Sequence, residues 1–355
     1  MRDEWRFYKG TARNEPLPAP EAGPLIPPGS PLYGLPDAPP WRRFDLHDRD
    51  RRRGKVFRPD DELIAVVNMA IYLRRPLLIT GRPGTGKSTL AWSIAEELEL
   101  PMLQWPITTR TTLQDGLYTY DVIRRLQDVQ IYERLIASGP RPSTDEDLPH
   151  GRFDPSREIG EYLTLGPLGM AMLPPAEGAP PLPRVLLIDE IDKSDIDLPN
   201  DLLHIFEEGA FEIREISRHK KLVQAATVMI STPDGTQVAV PSDGKIRCTV
   251  FPIIVMTSNK ERDFPPAFLR RCLRYEMKDP SPEELAQIVI AHLGTAVAAE
   301  QVARITQFAA EQVKNNLATD QLLNLLYLLR REETLDPKLV AHMTATLLKN
   351  LEAGA

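Results

Sequence analysis

The chain has 355 residues, of which 42% are hydrophobic and 26% charged, with a formal net charge of −7. That length predicts two domains, and the composition excludes wholesale disorder and a fibrous repeat. The acidic balance argues against a protein whose main task is neutralising a nucleic-acid backbone, which needs clustered Lys and Arg.

No apolar run approaches the roughly 18 to 20 residues that cross a bilayer, and the start Met1-Arg2-Asp3-Glu4-Trp5-Arg6 has no signal-peptide core. The expectation is a soluble cytoplasmic protein with no membrane partner. Cys248 and Cys272 have no metal-ligand spacing and read as buried thiols.

Residues 1–54 are proline-rich and without helical or strand period, which predicts an extended arm. Trp5, Phe7, Tyr8, Trp41 and Phe44 could anchor it to the folded body or to a neighbouring subunit; a disordered tail fits equally. The run Arg49-Asp50-Arg51-Arg52-Arg53-Gly54-Lys55 is basic and reads as a solvated linker or a binding patch. Pro59 followed by acidic residues starts a helix to about Leu73. Pro76 to Thr80 is a short apolar strand, and Leu90 to Leu98 is helical.

Met102 to Trp105 reads as a second strand, and the Pro-, Gly- and charge-rich stretches 138–157 and 173–183 read as loops. Arg184 to Glu190 is apolar on consecutive positions, as in a central parallel strand covered on both faces. Phe211 to Ile216 alternates and reads as a strand. Val228-Met229-Ile230 and Val238-Ala239-Val240 flank Pro233-Asp234-Gly235 and predict a β-hairpin. Phe251 to Thr257 is another buried strand, and Leu273 to Met277 is the last. From Asp279 the period turns helical, opening on the capping signal Ser281-Pro282-Glu283-Glu284, with helices near 282–293, 299–314, 320–331 and 337–351.

Two motifs carry chemistry. Gly81-Arg82-Pro83-Gly84-Thr85-Gly86-Lys87-Ser88, followed by Thr89, matches the P-loop: its glycines let backbone N–H groups wrap phosphates at a helix N-terminus, Lys87 reaches the β and γ phosphates, and Ser88 ligates magnesium. The flanking strand and helix weigh against a chance match. Asp189 and Glu190 end an apolar strand, where such a fold needs one acid for the magnesium hydration shell and one to polarise the attacking water; Asp189 is assigned to metal and Glu190 to water. A surface acidic pair is the plain alternative. Asp192 reads as a helix cap.

With Gly166-Pro167-Leu168 upstream of Leu186 to Asp192, and Leu202 to Gly209 after it, residues 56 to 351 resemble an AAA+ ATPase of the MoxR-like branch. The resemblance implies a three-layer α/β/α core with a parallel sheet over 55–278, carrying insertions near 108–120, 138–183 and 212–250, and a small all-helical lid over 279–355. It makes Asn259 sensor 1 and Arg271, with Arg270 as its understudy, an arginine finger acting on a neighbour's nucleotide. It places the adenine of ATP near Val56 and Phe57. At the sensor 2 position, where the family carries arginine, this chain has Gln321; Arg330 and Arg331 are weak substitutes. The hairpin resembles the family's pre-sensor-1 insertion, and His219-Lys220-Lys221 reads as a solvated tip or a client contact.

A finger working in trans implies a homo-oligomeric ring, expected to be a hexamer. The family further implies remodelling of a partner protein, often one with a von Willebrand factor A domain, and for some members service in bacterial conflict or anti-phage systems. An ATP-gated adaptor with low turnover and a DNA-acting AAA+ regulator remain open as alternatives; a small-molecule kinase fits less well.

Overall fold

The computed structural model describes residues 7–10, 38–42, 54–55, 57–138, 159–176, 178–219, 226–315, 317–329 and 337–348. Trp5, Phe44, Arg49 to Arg53, Val56, the stretch 139–158, Lys220, Lys221, Arg330 and Arg331 lie outside the described residues. Among the described residues no helix is long and apolar enough to cross a membrane.

In chain order, helix α1 spans Asp61–Leu73: the Asp60 side chain accepts from the Leu63 N–H at 2.7 Å, and Leu63, Ile64, Val67, Ala70 and Ile71 bury one face. Strand β1 (Leu77–Thr80) runs into the glycine-rich loop and α2 (Lys87–Glu97). Then come β2 (Met102–Pro106), α3 (Leu113–Leu117) behind a Thr112/Asp115 capping box, β3 (Tyr118–Tyr120) and α4 (Val122–Ser138). After these follow β4 (Leu163–Leu165), α5 (Pro167–Met172), β5 (Val185–Asp189), α6 (Leu198–Glu208), β6 (Ala210–Glu212) and α7 (Arg214–His219). Next come β7 (Thr227–Ser231), β8 (Gln237–Pro241), β9 (Lys245–Arg247), β10 (Ile253–Ser258), α8 (Pro266–Arg271) and β11 (Leu273–Glu276).

Five strands form the central parallel sheet in the order β11-β1-β10-β5-β2. Every residue of β10, and Val185 to Ile188 of β5, is buried. That is the signature of strands covered on both faces, and it explains their unbroken apolar runs. A second sheet, β3-β4-β7-β8, contains the expected hairpin: β7 and β8 pair antiparallel from Thr227↔Pro241 to Ser231↔Gln237, with Gly235 at φ 82° in the turn.

The alternation of 211–216 is strand only as far as Glu212, paired with β9; from Arg214 the chain is helical. Ile213 and Ile216 are both buried, three residues apart, a spacing that suits one helix face better than a strand. Asp192 is not a helix cap: it lies buried inside a single 3-10 turn, Ile191–Lys193, and the residue before α6 is Asp197. Cys272 is buried and Cys248 half-buried, both as free thiols.

The chain contacts divide into two compact units, one made of Met1–Met102, Val255–Glu261 and Leu273–Ala355, the other of Leu103–Ile254 and Arg262–Cys272. The first includes the C-terminal helices α9 (Pro282–Leu293), α10 (Thr295–Glu300), α11 (Val302–Asn315), α12 (Thr319–Leu329) and α13 (Pro337–Leu347). The helix expected near 299–314 is α11, and the short α10 ahead of it, which ends before Gln301, is one the sequence period does not predict. A Ser281/Glu284 capping box starts α9, and Leu285, Val289, Leu293, Ile305, Phe308, Leu322 and Leu326 make the helical core.

Two pieces of the N-terminal arm are docked on this unit. Tyr8 is fully buried, its hydroxyl 2.9 Å from Ser93 Oγ, and Asn68 receives the Tyr8 N–H at 2.9 Å while donating to the Tyr8 carbonyl at 2.7 Å. Trp41 donates its indole N–H to Asn324 Oδ1 at 2.9 Å and meets the His292 and Tyr327 rings edge-on.

Burial drops the His292 imidazole to about 4, and its Nδ1 is buried without a hydrogen-bond partner. The unfolded chain therefore binds the proton more readily between pH 6.5 and 4. Stability is full above pH 6.5 and is lost as pH falls through that window, by up to about 3 kcal/mol. Urea unfolding followed through the helical unit should show this loss for the wild type, and a smaller one for His292→Phe.

Candidate active site

The P-loop follows from backbone chemistry. Gly84 and Gly86 adopt φ of 77° and 89°, a left-handed conformation that glycine takes without the Cβ penalty. Gly86 is also the residue before α2 and offers no side-chain cap, so the first N–H groups of that helix remain suited to an anion. Lys87, 7% exposed, folds its ammonium over the loop and donates to the Gly81 carbonyl at 2.8 Å and the Arg82 carbonyl at 2.6 Å. Thr85 Oγ1 donates to the Arg82 carbonyl at 2.9 Å, closing the turn that includes Pro83. Ser88 and Thr89, half-buried, are the next two residues of α2.

The same unit supplies further candidates. A Cβ built on Gly86 would lie 3.3 Å from the Phe57 ring, so Phe57 packs on the loop backbone. One built on Gly84 would lie 2.7 Å from Ala318 Cβ and 3.1 Å from the Thr319 nitrogen, which puts the start of α12 against the loop. Asn259 follows β10, half-buried, its Nδ2 3.5 Å from Glu261 Oε1. Gln321 is engaged at both ends of its amide: Oε1 accepts from the Ala318 N–H at 2.8 Å and Nε2 donates to the Leu347 carbonyl at 2.9 Å. It ties α12 to α13.

The other unit holds the acids and the candidate finger. Asp189 ends β5, and its carbonyl accepts the Ile107 N–H at 3.0 Å. Glu190 has φ 60° and ψ 48°, a left-handed conformation uncommon for a residue with a Cβ, and its Oε2 accepts from Lys193 Nζ at 2.6 Å. Arg270 and Arg271 close α8, which Phe268 anchors with a fully buried ring. Arg271 pairs through Nε with Glu207 Oε1 on α6, and its Nη1 reaches the Ala267 carbonyl at 3.3 Å.

The family model for the AAA domain of the dynein-related subfamily matches residues 76–272, from the start of β1 to the end of α8. The chain belongs to this AAA family. No curated protein matches it. Members of the AAA family bind and hydrolyse nucleotide, typically with magnesium, and commonly assemble into rings.

The groups this AAA protein presents fit such a ligand. The left-handed glycines, the uncapped start of α2 and the Lys87 ammonium suit a polyphosphate, and the Ser88 hydroxyl beside them is a hard oxygen donor of the kind magnesium accepts, as is the Asp189 carboxylate of the other unit. Two partners escaped the sequence reading. Lys193 carried a readable signal, since an acid and a base three residues apart in one turn meet. Glu207 carried none, being 64 residues from Arg271.

Proposed function

We propose that the protein is a MoxR-like AAA+ ATPase that hydrolyses ATP with Mg2+ in a homo-oligomeric ring, a hexamer, to remodel or regulate a partner protein. The observation that carries this reading is the loop from Gly81 to Ser88, with its left-handed glycines and the Lys87 ammonium turned into it. In this reading the loop N–H groups and Lys87 hold the phosphates, Phe57 lies near the adenine, and Ser88 and Asp189 take the metal. Glu190 accepts the proton of the attacking water while Asn259 orients it, and Arg271, or Arg270 in its place, neutralises charge on a neighbour's γ-phosphate. Magnesium supplies charge neutralisation on the phosphate oxygens when bound.

A finger acting in trans requires a heterologous contact that closes into a ring, and the half-exposed Arg271 at the end of α8 suits that task. The resemblance suggests a client or effector protein, often one with a von Willebrand factor A domain in this family, and a bacterial conflict or anti-phage system as the setting.

Magnesium-dependent phosphate release by the purified chain, with its mass measured in ATP and in ADP, tests the proposal. Turnover with a ring-sized particle in ATP supports it; a monomer in ATP with full turnover sinks the ring. A low-turnover ATP-gated adaptor is the second reading, favoured by Gln321, which stands where the family carries the sensor 2 arginine and spends its amide on Ala318 and Leu347. ATP-dependent assembly with turnover at background would select it.

A further inference from the structure

Resting on the reading of Arg271 as the finger, we propose that Glu207 is a positioning residue that sets the plane of the Arg271 guanidinium for action on the neighbouring subunit. An arginine in the last turn of a helix is drawn toward that helix's own terminal carbonyls. Arg271 meets that pull, with Nη1 3.3 Å from the Ala267 carbonyl, yet its Nε edge is held by Glu207 Oε1 from a different helix. A guanidinium is flat, so holding one edge fixes the direction of all five donors.

The placement of Glu207 points the same way. It is the penultimate residue of α6, at the negative end of the helix dipole, followed by Glu208 and with no basic residue in that last turn. A carboxylate there is disfavoured by its own helix. An exposed ion pair returns little, so the pair adds little to the stability of the fold. What it does provide is orientation, because both ends stand on anchored elements. Leu202, Leu203 and Ile205 are buried on α6, the Phe206 ring meets Phe251 edge-on at 6.4 Å, and Phe268 is buried on α8.

A double-mutant cycle on the full chain tests this, with kcat and KM for ATP measured for the wild type, Glu207→Ala, Arg271→Ala and the double variant. Arg271→Ala is expected to lower kcat by about 1000-fold, the scale on which such arginines act. Glu207→Ala is expected to lower kcat about tenfold with KM within about twofold, a loss of transition-state contact alone. In the Arg271→Ala background the Glu207 change should cost nothing further, and Glu207→Gln should retain part of the activity. Thermal unfolding of each variant guards against a folding defect.

Wild-type kcat in Glu207→Ala, or the same tenfold loss with and without Arg271, overturns the positioning role. Full turnover by Arg271→Ala overturns it as well. A wild-type chain without turnover instead removes the ATPase reading on which the proposal rests, so the two failures are distinguishable.

Discussion

Glu190→Gln is expected to lower the turnover number for ATP by about 100- to 10,000-fold, the range attributed to a positioned general base, while leaving nucleotide affinity within a few-fold of wild type. Glutamine keeps the size of the side chain and its reach but cannot accept the proton of an attacking water. The left-handed backbone at this position, φ 60° and ψ 48°, is as accessible to Gln as to Glu, so the change adds no new strain. It does remove the charge that Lys193 meets at 2.6 Å. That pair is about 40% exposed, so its loss should cost at most about 1 kcal/mol of stability. Single-turnover hydrolysis paired with equilibrium titration of a fluorescent ATP analogue separates the two effects. Unchanged turnover would falsify the assignment of Glu190, and a parallel loss of affinity would move its role from chemistry to binding.

What could be read in advance follows from how local each signal is. The P-loop, the Ser281 capping box and the Pro233-Asp234-Gly235 hairpin turn are set by residues within a few positions of one another, and each appears where its pattern predicts. The buried strands β5 and β10 were legible because burial on both faces demands an unbroken apolar run. The segment 211–216 misled because its period-2 pattern over six residues also places Ile213 and Ile216 on one helical face. Asp192 misled because an acid before an apolar helix reads as a cap, while the chain needed a buried turn there first. Gln321 could be seen to lack an arginine's reach. That it braces α12 against α13 depends on Leu347, 26 residues away, and no local pattern encodes that.

Lys87→Ala is expected to weaken ATP binding at least about 100-fold and to lower the thermal midpoint, two effects with one origin. The ammonium is 7% exposed and donates at 2.8 and 2.6 Å to the carbonyls of Gly81 and Arg82, so it holds the loop closed as well as presenting charge. Truncation leaves these oxygens without that donor, which costs roughly 1 to 3 kcal/mol where a buried acceptor loses its partner. It also removes a buried cation beside left-handed Gly84 and Gly86, whose N–H groups alone bind anions weakly. Lys87→Arg separates the contributions. Its larger planar head keeps the charge but does not reproduce a compact ammonium between two carbonyls, so affinity should recover less than stability. Isothermal titration with ATP and with ADP, beside calorimetric unfolding without nucleotide, measures both. Wild-type affinity in Lys87→Ala would remove the loop from nucleotide binding. A normal affinity loss with an unchanged midpoint would confine Lys87 to its charge and show that the two carbonyls find another donor.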